Sequence, residues 1–317
     1  MQPPRSPVSL GPPPAMRDPL SRLRCPVCLT GGLASAPAPG VGLGCAACRA
    51  TFPSEGGVGV LVADPSAHEA DLVRARAVNP DWYLVEQPPE QASPWRHHLR
   101  KRRIYVERVL RRELTARGRD RAEALLDLGC GDGNNLVWLQ PLAETLYGSD
   151  YNAIRLCRAQ AQVPGATLFL ADILDYPAFD GAFDVVYFNH VLEHIPDDRA
   201  ALATVYRILA PGGLLVLGTP NEGAGWWQLA YRRAPEVLAT TDHVHFYTAD
   251  TLVETMRHAG FLIGEVRHIG WGPPDWQLDG RLRRYKMLDD VFELIGKAIL
   301  PRQASSLYVI ASKTLAS

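Results

Sequence analysis

The sequence predicts an α/β protein: a mostly parallel sheet with helices on both faces, preceded by a small cysteine-bearing module. Three observations carry this expectation. From residue 122 onward, short apolar runs alternate with stretches of helical periodicity, the pattern of repeated βα units. One of those runs, Leu125–Leu128, passes directly into the glycine-rich turn Gly129-Cys130-Gly131-Asp132-Gly133. Near the N-terminus, four of the six cysteines stand as two Cys-x2-Cys pairs.

The chain has 317 residues, room for one large domain and a small one. Its 33 Lys+Arg balance 34 Asp+Glu, which excludes a globally basic nucleic-acid binder but not a local basic patch. Hydrophobic residues make up 47%, enough for a sizeable core. No apolar run approaches ~18 residues, so no membrane span is expected. The first twenty residues hold seven prolines and no apolar stretch, so residues 1–21 are expected to be a disordered tail and not a secretion signal. A cytoplasmic protein is the expectation.

Taken in order, residues 22–63 carry Cys25-Pro-Val-Cys28 and Cys45-Ala-Ala-Cys48, sixteen residues apart. In a reducing compartment this spacing is that of a tetrahedral zinc ribbon, and four thiolates make a closed, structural site. Disulfides or an iron centre are the alternatives. Val58–Val62 reads as a closing strand. Because metal binding and folding are coupled in so small a unit, chelation is expected to unfold it while sparing the large domain.

Residues 64–121 form a helical linker. It contains Trp82-Tyr83, a Pro88-Pro89 break and one helix over 95–117, with Leu99, Val106, Leu110 and Leu114 on a single face. Between Arg96 and Arg121 eleven Lys/Arg face three acidic residues. That face is either solvated or in contact with phosphates, as in an RNA binder.

The large domain is expected over 122–317. Its strands are Ala124–Leu128, Thr145–Ser149, Thr167–Leu170, Phe183–Phe188 and Leu214–Leu217. Helices are expected over Asn134–Leu142, Asn152–Gln162 and Ala200–Leu209, the last ending at Pro211-Gly212-Gly213. Phe261–His268 and Ser306–Ala311 are two final strands separated by an insertion over about 270–305. Within the insertion, Leu288, Val291, Phe292, Ile295 and Ile299 recur at helical spacing.

The glycine turn lets a ligand approach the backbone closely. A dinucleotide fingerprint would need a glycine at 134, which is Asn, so the spacing favours a ligand without a pyrophosphate. Asp150 ends the second strand, where a carboxylate can accept two hydrogen bonds from vicinal ribose hydroxyls. Asp172 follows the third strand and can accept from an exocyclic amine, with Ile173 as an apolar wall beside a purine.

The runs DLGCGDG, GSDYN, LADIL, FDVVYFNHVLEHIPD and LAPGGLLVLGTPN, in this order, resemble the successive motifs of class I S-adenosylmethionine-dependent methyltransferases. The group that includes the ubiquinone and menaquinone biosynthesis enzymes is the most similar. The resemblance covers roughly 122–313. It implies a Rossmann-like, seven-stranded sheet with the last strand antiparallel and the cofactor across the carboxyl ends of the strands. It also implies that Gly129, Gly131 and Gly133 line the methionine and ribose portion, with Asp150 on the ribose hydroxyls. Asp172 and Ile173 would then meet the adenine, Asn189 would face the amino-acid end through its backbone, and Asp127 would help fix the loop. The cysteine segment resembles zinc ribbons found ahead of some methyltransferases, among them zinc-bearing rRNA guanine methyltransferases. In those a Cys-x3-His second pair is expected, where this chain has Cys45/Cys48.

Methyl transfer to a hydroxyl gains from a general base. His190, His243 and His245 are the candidates, His243 first among them; His194, in the LEH turn, reads as a fold element. The expected function is methylation of a small-molecule acceptor, by O-methylation of a natural product, quinone or sugar. The rivals are an RNA methyltransferase using the ribbon and basic helix, and a non-catalytic binding protein. The insertion, with Trp226-Trp227 and Trp82-Tyr83, is expected either to roof the acceptor pocket or to pack on the domain's own surface or a second copy.

Overall fold

The computed structural model describes residues 18–35, 42–78, 80 and 84–315. Most of the expected tail, and Trp82 and Tyr83, lie outside the described residues, as does the Trp276 side chain. In chain order, the N-terminal module holds β1 (Leu33–Ser35), β2 (Leu43–Cys45), β3 (Thr51–Phe52), β4 (Ser54–Glu55) and β5 (Val58–Val60). Helices α1 (Pro65–Val78) and α2 (Arg96–Ala116) follow. The large domain then runs β6 (Ala122–Leu128), α3 (Asn134–Leu139), β7 (Ala143–Asp150), α4 (Ala153–Gln162), β8 (Thr167–Leu170), β9 (Phe183–Asn189), α5 (Asp198–Ile208) and β10 (Leu209–Pro220). It ends with α6 (Gly225–Arg233), α7 (Ala249–His258), β11 (Leu262–Ile269), α8 (Trp276–Arg283), α9 (Lys286–Ile299) and β12 (Ser306–Ser312).

Among the described residues the large sheet has the order β11-β12-β10-β9-β6-β7-β8-β5-β4. β6 pairs in parallel with β7 and β9, and β12 is antiparallel to both β10 and β11. The seven strands from β8 to β11 are those the resemblance implies. Leu125, Leu126, Val185, Val186, Leu215 and Val216 are all buried, as strands covered on both faces must be. The connections leaving β6 and β9 go to opposite sides, which opens a crevice at the carboxyl ends of these two strands.

The cysteine segment is not a free-standing body. β1 to β3 form their own small sheet, but β5 pairs in parallel with β8, Gly59 opposite Phe169 and Val60 opposite Leu170. Leu23, Leu33, Leu43, Phe52 and Leu61 share one buried cluster with Tyr147, Phe169, Tyr176 and Ala178. Arg24 N–H donates to the Pro177 carbonyl at 3.1 Å, and Leu61 N–H to that of Leu170 at 2.9 Å.

The basic helix α2 is neither bare nor uniformly solvated. Lys101 meets Asp289 at 2.6 Å and Asp290 at 3.0 Å, Arg103 meets Glu90 at 2.8 Å, and Arg112 meets Glu265 at 3.1 Å. The insertion therefore docks on α2. Its helix α9 covers the expected span, yet Met287, Leu294 and Ile299 stay 70% or more exposed. No helix among the described residues is long and apolar enough to cross a membrane.

Candidate active site

The loop after β6 turns through positive φ at each of Gly129, Gly131 and Gly133. At Gly129 a Cβ would lie 2.2 Å from the Val191 side chain, so glycine is required there for space as well as for conformation. Asp150, at the end of β7, holds this loop: its carboxylate accepts from Gly131 N–H at 2.8 Å and from Asn152 N–H at 2.9 Å. Burial pushes the Asp150 carboxyl up, and these amides and Arg155 only partly restrain it. Asp127 is 1% exposed, and its Oδ2 has no hydrogen-bond partner among the described residues. Burial and the nearby Asp150 hold its carboxyl well above the usual range.

Two cavities flank the loop. One, of about 340 Å³, is lined by Asp150, Asp172, Ile173, His190 and His194 among others. Asp172 also caps the following turn, accepting from Leu174 N–H at 2.8 Å. Tyr151 closes the same end of the cavity. Its hydroxyl donates to Asp71 of α1 at 3.1 Å, and the His68 ring packs edge-on at 4.2 Å. The second cavity, of about 830 Å³, is bounded by Gly129, Gly131, Trp138, Arg102, Asn189 and Tyr308. His190 borders both.

The wall over the second cavity comes from the linker between α1 and α2, including Gln87–Gln91 and Trp95. The expected roof is not found in the insertion. Among the described residues, none of 270–305 lines either cavity, and Trp227 is buried with Ala224 and Tyr231. Asp132, inside the glycine loop, is what ties the linker down. Its carboxylate accepts from Gln87 N–H at 2.7 Å and faces Arg158 Nη1 at 3.3 Å, while Arg158 Nη2 donates to the Leu84 carbonyl at 2.7 Å. Asp132→Ala removes a fully buried carboxylate from this clamp, so it should destabilise the fold by about 3 kcal/mol. The same change should speed proteolysis within 84–95. Denaturant melts and limited digestion check both, and an unchanged midpoint would disprove the clamp.

Asn189 was expected to act through its backbone. Its side chain is engaged as well: Oδ1 accepts from the Tyr308 hydroxyl at 2.8 Å and from Arg102 Nη2 at 3.2 Å. Arg102 Nε donates to the Tyr308 hydroxyl at 2.8 Å. The Arg102 guanidinium is thereby held at the wall of the second cavity. Arg102 and Tyr308 had no individual signal in the sequence, although Arg102 lies in the basic run.

The histidines separate by environment. His190 has a left-handed backbone, φ 55°, held by its N–H donating to the Gly218 carbonyl at 2.8 Å; such strain at a non-glycine residue concentrates at functional sites. Burial and the charge of Arg102 lower its pKa to about 4, so it is neutral at pH 7, and its buried Nε2 has no hydrogen-bond partner among the described residues. His243 Nδ1 lies 2.6 Å from Glu222 Oε2, a carboxylate the sequence did not single out. His245 is turned elsewhere. Its Nε2 lies 3.0 Å from the Ile195 carbonyl and its ring stacks on Tyr247, which ties it to the chain instead of to either cavity.

In the cysteine module, Sγ atoms of Cys25 and Cys48 lie 3.6 Å apart and those of Cys28 and Cys45 3.7 Å apart. A tetrahedron of ~2.3 Å metal–sulfur bonds has edges of about 3.8 Å, so the four thiols suit one tetrahedral ion. Gly31 N–H points at Cys28 Sγ at 3.4 Å, and a Cβ on Gly31 would fall 2.4 Å from Cys45 Sγ. The knuckles are compact because that position carries no side chain.

Comparison with known proteins agrees with this geometry. Residues 95–266 match the methyltransferase-domain family. A protein from Mycolicibacterium smegmatis named as a probable S-adenosylmethionine-dependent methyltransferase is 25% identical over 58% of this chain and 66% of its own length. A ubiquinone biosynthesis O-methyltransferase of Cereibacter sphaeroides is 27% identical over 65% of this chain and 88% of that enzyme. A trans-aconitate 2-methyltransferase of Variovorax paradoxus is 34% identical, over 32% of this chain and 40% of that enzyme. The chain thus spans under two thirds of the length of two of these relatives. With the family matched across more than half the chain, and with the strand order and glycine loop in place, the chain belongs to the methyltransferase-domain family.

Proposed function

We propose that this enzyme transfers the S-adenosylmethionine methyl group to a hydroxyl oxygen of a small-molecule acceptor such as a natural product, quinone or sugar, and that zinc in the cysteine module is structural. The observation that carries the reading is the pair of walled cavities meeting at His190. Bound S-adenosylmethionine supplies an electrophilic methyl on a sulfonium; the chain's own groups hold and shield the reactants. Asp150 takes the ribose hydroxyls, Asp172 and Ile173 the adenine, and the Gly129–Gly133 backbone the methionine stem. Arg102 meets the methionine carboxylate, steadied by Asn189 and Tyr308. The cofactor's ammonium group provides the donor that buried Asp127 Oδ2 lacks. His190, neutral and at the junction, accepts the hydroxyl proton through Nε2. His243, backed by Glu222, stands one layer behind. The linker wall excludes water.

The internal ion pairs of α2 favour this reading over an RNA substrate, because Lys101, Arg103 and Arg112 already face carboxylates of the same chain. Zinc would be held by Cys25, Cys28, Cys45 and Cys48. Incubating extract of the source cells with enzyme and methyl-labelled S-adenosylmethionine should place label on an oxygen in the small-molecule fraction. Label in RNA, with transfer falling steeply as salt rises, would overturn the acceptor class.

A further inference from the structure

Beside the 340 Å³ cavity, Glu193, His194 and His243 each bring one ligand-capable atom to within 4.8 Å of the others'. They come from separate segments, the turn after β9 and the stretch before α7. Backbone ties hold the two together: Val244 and His245 N–H donate to the Glu193 carbonyl at 2.8 and 3.2 Å. Each imidazole has a carboxylate at Nδ1. Glu222 Oε2 lies 2.6 Å from His243 Nδ1, and Asp242 Oδ1 lies 3.1 Å from His194 Nδ1. This is how metal-bound histidines are oriented, with a carboxylate fixing one ring nitrogen so that the other presents its lone pair.

Glu193 supplies a second, independent observation. It is 1% exposed, and its Oε2 accepts from the Thr219 hydroxyl at 3.2 Å. His190 Nδ1 and His194 Nε2 lie 3.4 and 3.9 Å from its Oε1. A buried carboxylate beside the pre-oriented His194 and within ligand reach of His243 is a place for a cation.

We propose that Glu193, His194 and His243 bind a divalent first-row transition ion, with Glu222 and Asp242 orienting the two rings. Two imidazoles and one carboxylate suit zinc, iron(II) or cobalt(II) better than calcium or magnesium. Three protein ligands leave coordination open. His194 lines the cavity, so the open side faces the cleft, where an oxygen donor completes the shell. Use of the ion to acidify an acceptor hydroxyl rests on the O-methylation reading; the site itself does not.

The test is titration of the purified full chain, its cysteine module metal-loaded, with Co²⁺. One further equivalent should bind with d–d absorption and no thiolate charge-transfer band, and acetohydroxamate should shift that absorption by taking the open position. Glu193→Gln and His243→Gln should lose this equivalent. Glu222→Gln, which keeps all three ligands, should weaken it 10–100-fold. Asp250→Asn, at an exposed position paired with Arg302, should change nothing. A wild-type chain that takes up no second ion at millimolar Co²⁺, a His243→Gln chain that binds as tightly as wild type, or no response to acetohydroxamate would overturn the proposal. Intact Co²⁺ binding with no label on any oxygen acceptor would instead count against the O-methylation reading alone.

Discussion

Stripping the metal from the cysteine module is expected to lower the unfolding midpoint of the whole enzyme and to weaken its affinity for S-adenosylhomocysteine. The sequence alone suggests the opposite, a module that unfolds by itself. The shared core decides between them. Leu23, Leu33, Leu43, Phe52 and Leu61 are all buried in one cluster with residues of β7 and β8 and of the segment 176–178. At ~1.5–3 kcal/mol for each fully buried large side chain, these five amount to roughly the net stability of a domain. The linkage also reaches the cofactor. β5 is hydrogen-bonded along β8, and β8 leads directly to Asp172 and Ile173. Thr51 and Phe52 pair with the strand that carries Cys45, so losing the ion releases β2 and β3 before it releases β5. Calorimetric melts and ligand titration with and without a strong chelator, repeated on Cys45→Ser, test this. Two separate transitions with unchanged ligand affinity would show that the module is autonomous after all.

What the sequence disclosed, and what it withheld, follows from the range of the forces involved. Strands such as β6 and β9 are buried on both faces, so each reads as a continuous apolar run between turn signals. Asp150 and Asp172 were legible because a carboxylate at a strand tip has little to do in a core. The long-range partners were not. Periodicity shows which face of α2 is buried, but it cannot show that Arg102 in particular turns toward Tyr308 and Asn189, 206 and 87 residues away. Helix α8 is mostly polar with an internal glycine, and tertiary contacts hold it: Arg283 bonds Asp289 at 2.7 Å, and Trp95 Nε1 donates to Asp279 at 2.7 Å. Val58–Val62 announces a strand, yet nothing local says that its neighbour is β8. The insertion, Trp226-Trp227 and Trp82-Tyr83 together suggested a roof, whereas the wall over the second cavity comes from Gln87–Gln91 and Trp95, tied down where Asp132 offers a buried acceptor to the Gln87 amide.

Asp150→Ala is expected to reduce S-adenosylhomocysteine affinity by about 3 kcal/mol, more than a hundredfold. Two losses combine. The ribose hydroxyls lose a charged acceptor, where each hydrogen bond is worth about 1.5–3 kcal/mol. The amides of Gly131 and Asn152 lose the oxygens that set the loop, so the cradle must be ordered again when ligand binds. Stability of the free enzyme should change much less. The carboxylate's own burial already disfavours its charged form, and removing it relieves that penalty while costing the two amide bonds. The mutant should therefore melt near the wild type yet bind weakly. Asp150→Asn, which keeps one oxygen, should fall between them. The 2′-deoxy analogue of the ligand separates the two losses. It should bind wild type more weakly than the parent compound, whereas the Ala variant should no longer distinguish the two ligands. Equal affinity of wild type and Asp150→Ala by calorimetry would remove the ribose assignment. A penalty for the missing hydroxyl that persists in the variant would move that hydroxyl to another partner and leave Asp150 with the loop alone.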